Sequence, residues 1–276
     1  KLPSRTLVLG ERTLIMGALN VTPDSFSDGG MFLEPAAAVN HALEMEQAGA
    51  DIVDIGGEST RPGSEFLPVE EEWRRLRPVL EGLKGKLWIP ISVDTYKSTV
   101  AAAALEAGAE IINDVSGLRL DGQLASVAAR FRAGLILMQM RGTPKTMQKK
   151  PFARNVLEDV RRGLKQSVAR ALAAGVRRSR IILDPGIGFG KSVEQNCELI
   201  RELEQIAALG FPVLIGTSRK SFIGKLLDGA PPDRRQWGTA ATVAASVLSG
   251  AYIVRVHDVR EMRDVVRLAD AILGRS

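Results

Sequence analysis

Polar and charged residues recur in this sequence where short apolar runs stop: Asn20 after TLIMGAL, Thr60 and Arg61 after DIVDIGGES, and Asp94 after WIPISV. The pattern continues with Asn113 after AEII, Asp184 after RIIL, Lys220 and Ser221 after PVLIGTSR, and Arg255 with His257 inside AYIVRVHD. A strand buried on both faces is apolar throughout, so its first polar side chain marks the rim where the chain leaves the sheet. Two acids and an amide on such a rim suit a neutral heterocycle with several N–H donors, because a carboxylate accepts two parallel bonds from an amidine-like edge. Two arginines, a histidine and hydroxyls suit an anion such as a phosphate ester. The set divides into a heterocycle half and a phosphate half.

The elements that must position these groups follow from spacing. Helical stretches are expected over 34–48, 69–82, 97–107, 122–132, 153–174, 193–208 and 236–249, alternating with short β-branched runs. Residues 1–19 read as a hairpin, TLVLG and TLIMGAL about Gly10, leading into the first core strand. Three helices hand over to strands through one dipeptide, Gly49-Ala50, Gly108-Ala109 and Gly250-Ala251, as a glycine C-cap feeding a sheet would. The unit repeats, and no Pro/Ser-rich linker interrupts it. Eight βα units favour one closed (β/α)8 TIM barrel, with an N-terminal β-hairpin, over a doubly wound sheet, because closure leaves no strand edge. The whole chain, 1–276, is expected to be a single domain.

Composition agrees with that class. The 276 residues are 45% hydrophobic but only 5% aromatic, so the core is built from Leu, Ile, Val and Ala, and a barrel of this kind needs about 250 residues. The net charge of +5 and a pI near 9.5 raise nucleic acid as a partner, but Lys and Arg are interleaved with acids. An anionic small substrate accounts for the excess as well, and no nucleic-acid partner is expected. With one cysteine, Cys197, no internal disulfide can form. No secretory or membrane-spanning apolar run is visible, and a cytoplasmic protein without membrane attachment is expected.

Two nucleotide motifs fail on inspection. GIGFGKS resembles a phosphate loop, yet that motif needs glycine where Pro185 stands. Gly186 and Gly188 open a dinucleotide fingerprint whose third glycine is replaced by Lys191. Two histidines, His41 and His257, with one cysteine cannot build a tight metal cage, which leaves Mg²⁺ bridging substrate phosphates as the metal chemistry open to the chain.

NVTPDSFSDGG, DIGGESTRPG, ISVDT, INDVSG, ILDPGIGFGK, GTSRKSFIG and VRVHDV resemble the dihydropteroate synthase family over nearly the whole chain. The resemblance implies a transferase that joins 6-hydroxymethyl-7,8-dihydropterin diphosphate to 4-aminobenzoate, releases diphosphate, and is a target of sulfonamides. It implies that Asp94, Asn113, Asp184 and Lys220 hold the pterin, with Met138, Phe189 and Gly216 lining its slot. Asn20, Thr60, Arg61, Arg255 and His257 would take the diphosphate, Asn20 approaching Mg²⁺. Phe26, Thr60, Pro62, Lys220 and Ser221 would form the aminobenzoate pocket. Asp28, Lys220 and Arg255 would act in catalysis, Asp28 by facing a cation left when diphosphate departs first. The resemblance also implies a homodimer.

One departure stands out: the family's fifth strand commonly reads LMHM, and here it reads LMQM, with Gln139. Glutamine keeps hydrogen bonding but not titration, so a supporting position is expected. The alternatives are a pterin-dependent methyltransferase, which needs no diphosphate clamp, and a non-catalytic pterin-binding paralogue, which would be expected to lack Ser221, Asn20 or Arg255. Loop 21–30, polar apart from Val21 and Phe26, is expected to close only after diphosphate binds, which makes substrate binding ordered.

Overall fold

The computed structural model describes residues 1–21, 35–60, 63–143, 145–147 and 153–275. Phe26, Asp28, Arg61, Pro62 and nearly all of loop 21–30 lie outside the described residues. Within them the chain runs β1 (Leu14–Asn20), α1 (Pro35–Ala48), β2 (Ile52–Gly56), α2 (Val69–Leu83), β3 (Ile91–Asp94) and α3 (Ser98–Glu106). It continues as β4 (Ile111–Asp114), α4 (Leu124–Arg130), β5 (Gly134–Met138), α5 (Val156–Ala173), β6 (Ile181–Asp184), α6 (Val193–Arg201) and α7 (Leu203–Ala207). β7 (Leu214–Ile215), α8 (Ser221–Leu226), α9 (Gln236–Leu248), β8 (Ile253–Val256) and α10 (Val259–Ile272) complete it.

The strands are parallel, in the order β6-β5-β4-β3-β2-β1-β8-β7. A single bridge between Leu183 and Val213 brings the two ends together, with the Leu183 N–H donating to the Pro212 carbonyl at 2.9 Å. The result is a (β/α)8 barrel.

Alternation along the strands sorts side chains into two cores. Ile15, Val53, Val93, Ile112, Leu135, Leu183 and Val254 face outward into the large cluster shared with the helices. Leu14, Met16, Ile52, Ile111, Ile136, Ile182, Leu214 and Ile253 face inward and fill the N-terminal half of the barrel. Above that apolar floor the inward positions turn polar, which is where the site begins.

The expected N-terminal hairpin is not formed. Residues 6–10 pair with no strand; instead Leu2, Leu7 and Leu9 pack on the apolar floor from below, so burial against the barrel mouth wins over a two-stranded ribbon, which is marginal alone. The second arm is β1 itself. The glycine-alanine handovers are present: Gly49, Gly108 and Gly250 have φ of 104°, 109° and 98°. The following alanines donate back to Met45, Ala104 and Ser246 at 2.9, 3.0 and 3.0 Å, which is the 6→1 bond of a Schellman end. The helix expected over 193–208 is broken at Glu202 (φ −97°, ψ 22°) into α6 and α7. Of the run PVLIGTSR only two residues, Leu214 and Ile215, stay in a strand, and α8 begins at Ser221. α10 follows β8 and buries Val259, Met262, Val266 and Ala269 at helical spacing.

Candidate active site

Parallel register and alternation bring the polar inward residues to the same, C-terminal end of the barrel. Asp94 pairs with Asn113 and with Gly56, Met138 pairs with Asp184, and Asp54 lies beside Ser92. Arg255 enters from β8, its Nε donating to Asp54 Oδ2 at 2.7 Å and its Nη2 to Asp94 Oδ2 at 3.4 Å. Asn113 donates its Nδ2 hydrogen to the same Asp54 oxygen at 3.0 Å. Asp54 is fully buried, and its other oxygen has no partner among the described residues.

Asp54 was missing from the sequence-derived set, although the signal was available. It stands in the middle of the buried run IVDIG at an inward position, where only a functional or paired acid is tolerated. Its carboxylate holds Arg255 in the barrel, against the burial that opposes a guanidinium charge. Together with Asp94 it raises the Arg255 pKa.

Burial, with the Asp54 charge adding to it, pushes the Asp94 carboxyl up to about 8, while Arg255 pulls the other way. Burial likewise raises Asp184, opposed by the Gly186 N–H that its Oδ1 accepts at 2.7 Å. Burial, with Arg255 nearby, draws Lys220 down to about 8. Its ammonium sits 4.1 Å from the centre of the Phe189 ring, and Phe189 shares an apolar cluster with Met138, Met140, Val115 and Tyr96. An aromatic wall, a lysine and two acids that are easily protonated therefore converge at the C-terminal ends of the strands, the face where barrels of this class carry chemistry.

The loop after β6 is fixed by close approach. Gly186 has φ +69°, and a Cβ there would stand 2.0 Å from the Gln139 carbonyl oxygen. Lys191 pins the same loop: its Nζ, with three hydrogens to share, lies within hydrogen-bonding distance of the carbonyls of Gly186 (2.9 Å), Phe189 (3.1 Å) and Gln139 (3.2 Å) and of Gln139 Oε1 (2.9 Å). Gln139 thus stands behind the rim and supports it.

The loop after β7 is held as firmly. Arg219 lies in the left-handed region at φ 57°, its N–H bonded to Thr239 Oγ1 at 3.0 Å, its carbonyl to Arg235 at 3.0 Å, and its guanidinium to Asp258. That fold-back sets Lys220 and Ser221 at the start of α8. Ser221 is exposed, Asn20, Arg255 and His257 are half-buried at their strand ends, as is Thr60 in the connection after β2, and Gly216 lies against the Arg255 Cβ. His257 accepts or donates at Nδ1 with Ser218 Oγ, 2.9 Å away. Burial first, then Arg255 and Arg219, pull its ring down to about 3, so it is neutral.

Residues 16–257 match the model of the pterin binding enzyme family. A dihydropteroate synthase of Synechocystis is 48% identical over 95% of this chain and 91% of its own length. The chain belongs to the dihydropteroate synthase family. It is accordingly a transferase, and the structure of a dihydropteroate synthase from Clostridium difficile, solved in the presence of pteroic acid, superposes with a TM-score of 0.91 at 46% identity, over 98% of this chain and all of that one. The Xanthomonas albilineans dihydropteroate synthase solved with 4-aminobenzoic acid is 42% identical with a TM-score of 0.89, over 95% of this chain and 94% of that one. These relatives do not favour the methyltransferase or the non-catalytic reading.

Proposed function

We propose that this rim condenses 6-hydroxymethyl-7,8-dihydropterin diphosphate with 4-aminobenzoate. The observation that carries the reading is the convergence of Asp94, Asn113 and Asp184 at inward positions on the C-terminal ends of β3, β4 and β6, with Lys220 over Phe189 as the wall of a flat slot. Asp94, Asp184 and Asn113 receive the donor edge of the pterin, and Met138, Phe189, Gly216 and Lys220 flank its faces. Of the five Arg255 N–H hydrogens, one on Nε and one on Nη2 are held by Asp54 and Asp94, leaving three for the diphosphate beside Asn20, Thr60, Arg61 and His257. Phe26, Thr60, Pro62, Lys220 and Ser221 shape the aminobenzoate pocket.

An arylamine is a weak nucleophile, so the step is dissociative. The methylene C–O bond breaks with both electrons leaving on the diphosphate oxygen, and the cation is delocalised into the dihydropterin. The arylamine lone pair then forms the C–N bond, and the ammonium proton passes to solvent or the departing diphosphate. Arg255 stabilises charge where it develops, Asp28 faces the cation, and no strong base is required.

The donor set fits Mg²⁺ arriving with the diphosphate. Among the described residues no group of three or more His, Cys, Asp or Glu could hold a metal, and Asn20 offers one neutral oxygen, which with an Asp94 oxygen flanks Gly56 and suits an ion held mainly by phosphates and water. Such an ion would neutralise charge on the leaving group. The chain is read as one domain over 1–276 that works in the cytoplasm as a homodimer; no helix among the described residues is long and apolar enough to cross a membrane. The test is diphosphate release on mixing both substrates with Mg²⁺. Release that requires aminobenzoate supports the reading, and its absence with folded protein refutes it.

A further inference from the structure

The hydroxyl of Ser218 meets His257 twice. Its Oγ lies 3.2 Å from the His257 backbone nitrogen, whose N–H donates to it, and 2.9 Å from ring Nδ1. A backbone nitrogen can only donate, so one lone pair of Oγ is taken. The remaining question is which way the hydrogen runs between Oγ and Nδ1. Ser218 is 6% exposed, and no other acceptor for its hydroxyl hydrogen is seen among the described residues. If Nδ1 carried the ring proton, Oγ would accept from two N–H groups and its own hydrogen would be buried without a partner. Leaving a buried donor unmade disfavours that arrangement by about tenfold or more. The ring is neutral, held so by burial and by the neighbouring Arg255 and Arg219, so it carries one proton and that proton must be elsewhere.

We propose that Ser218 is a positioning residue that donates to His257 Nδ1 and thereby fixes the imidazole as its Nε2–H tautomer. The ring then offers a neutral N–H donor, with no charge of its own, beside the cationic Arg255. The strand pattern explains how two loops cooperate. Val256 is the last residue of β8 and Ser218 lies in the turn after β7, and the adjoining pair Arg219–Asp258 ties the same two loops together one residue further on each side. Two consecutive cross-loop contacts leave the ring little freedom to rotate. On the reading that His257 faces the leaving diphosphate, on which this part of the inference rests, Ser218 converts an ambiguous ring into a preset oxyanion donor.

Nitrogen-15 NMR of the side-chain imidazoles tests this directly, because the chain has two histidines and a His41→Gln variant assigns the other resonance. In the unliganded protein Nε2 should carry the proton and Nδ1 should read as a hydrogen-bonded acceptor. In Ser218→Ala the other tautomer should rise from under about a tenth to a substantial share, and Ser218→Thr, which keeps the hydroxyl, should restore the original spectrum. A protonated Nδ1 in the unaltered protein, or a spectrum indifferent to Ser218→Ala, overturns the proposal. Kinetics separate it from the functional reading: Ser218→Ala should lower kcat/KM for the pterin diphosphate about tenfold and leave KM for aminobenzoate unmoved. A tautomer that switches while these constants stay fixed supports the Ser218 assignment and removes His257 from the leaving group.

Discussion

The acids of the rim differ in what holds them, and that difference predicts how they respond to change. Asp184 spends one oxygen on the Gly186 N–H and has the rest of its acceptor capacity for ligand. In Asp184→Asn an amide offers donors to a ligand edge that presents only donors. Losing a charge-assisted pair and burying a mismatched donor should cost on the order of 3 kcal/mol, or about a hundredfold in pterin affinity. Calorimetry with a pterin analogue checks it, and full affinity in a folded variant would rule out Asp184 as the pterin acceptor. Asp94 should show itself through pH. Because burial and Asp54 push it up to about 8, a fall in pH below that value protonates it and removes an acceptor, so affinity should decline toward acid by up to about tenfold per unit. Lys220, drawn down to about 8, loses its charge on the other side. Binding should therefore be tightest near pH 8, and a flat profile from 6 to 8 would contradict the Asp94 assignment. Asp94, Asn113 and Asp184 were legible in the sequence because each is the first polar residue after an apolar run. Ser218 was not, since a serine in GTSRKS carries no sign of the ring it touches across 39 residues of chain.

Between strands and helices the clearest device is a buried triad above β2 and β3. Lys97 pairs with both Glu58 and Glu72, whose side chains are 8% and 1% exposed, and Tyr96 donates its hydroxyl to Glu58 at 2.8 Å. The ammonium also lies 4.8 Å from the Phe66 ring. Glu58 belongs to the connection that carries Thr60, Glu72 to α2, and Lys97 to the turn before α3, so one lysine joins three elements. Burial raises the Glu72 pKa, and Lys97 works against that shift. Lys97→Met should leave two buried carboxylates competing for one proton and cost roughly 3–5 kcal/mol, read as a lower urea midpoint. It should also raise KM for aminobenzoate more than for the pterin, because the connection with Thr60 loosens while Asp94, Asn113 and Asp184 stay on their strands. Unchanged stability would mean the triad is better solvated than its burial indicates. None of this was visible in one dimension, since the three charges are spaced by 14 and 25 residues. The glycine-alanine handovers were visible because a C-cap is a local event. The length of β7 was not, because the turn that ends it is imposed by Arg235, Thr239 and Asp258 from elsewhere in the chain.

Across the whole molecule the barrel is not equally closed all round. β1 and β2 share a five-residue register, whereas β6 and β7 meet at one bridge, Leu183 to Val213, and Pro212 supplies a carbonyl there but has no N–H to return. Parallel alternation and the eight-unit repeat made closure legible from the sequence, but not this weak seam, which depends on how few residues of β7 stay extended. The seam runs between Asp184 at the end of β6 and Gly216 just beyond β7, so the proposed pterin slot straddles it. A ligand bound to Asp184 and covered by Lys220 would tie the two edges together with bonds that the backbone does not make. Local opening takes the least-bonded path, so amides of 181–184 and 213–217 should exchange at least about a hundredfold faster than those of β1 and β2 in the free protein. Adding a pterin analogue should slow exchange at this seam far more than elsewhere in the sheet, measured by hydrogen–deuterium exchange with peptide resolution. Asp184→Asn supplies the control: with the ligand's hold on β6 removed, saturating analogue should protect β7 less while leaving β1 and β2 as before. Uniform protection around the free barrel would show that the single bridge and the flanking helices already close the seam without a ligand.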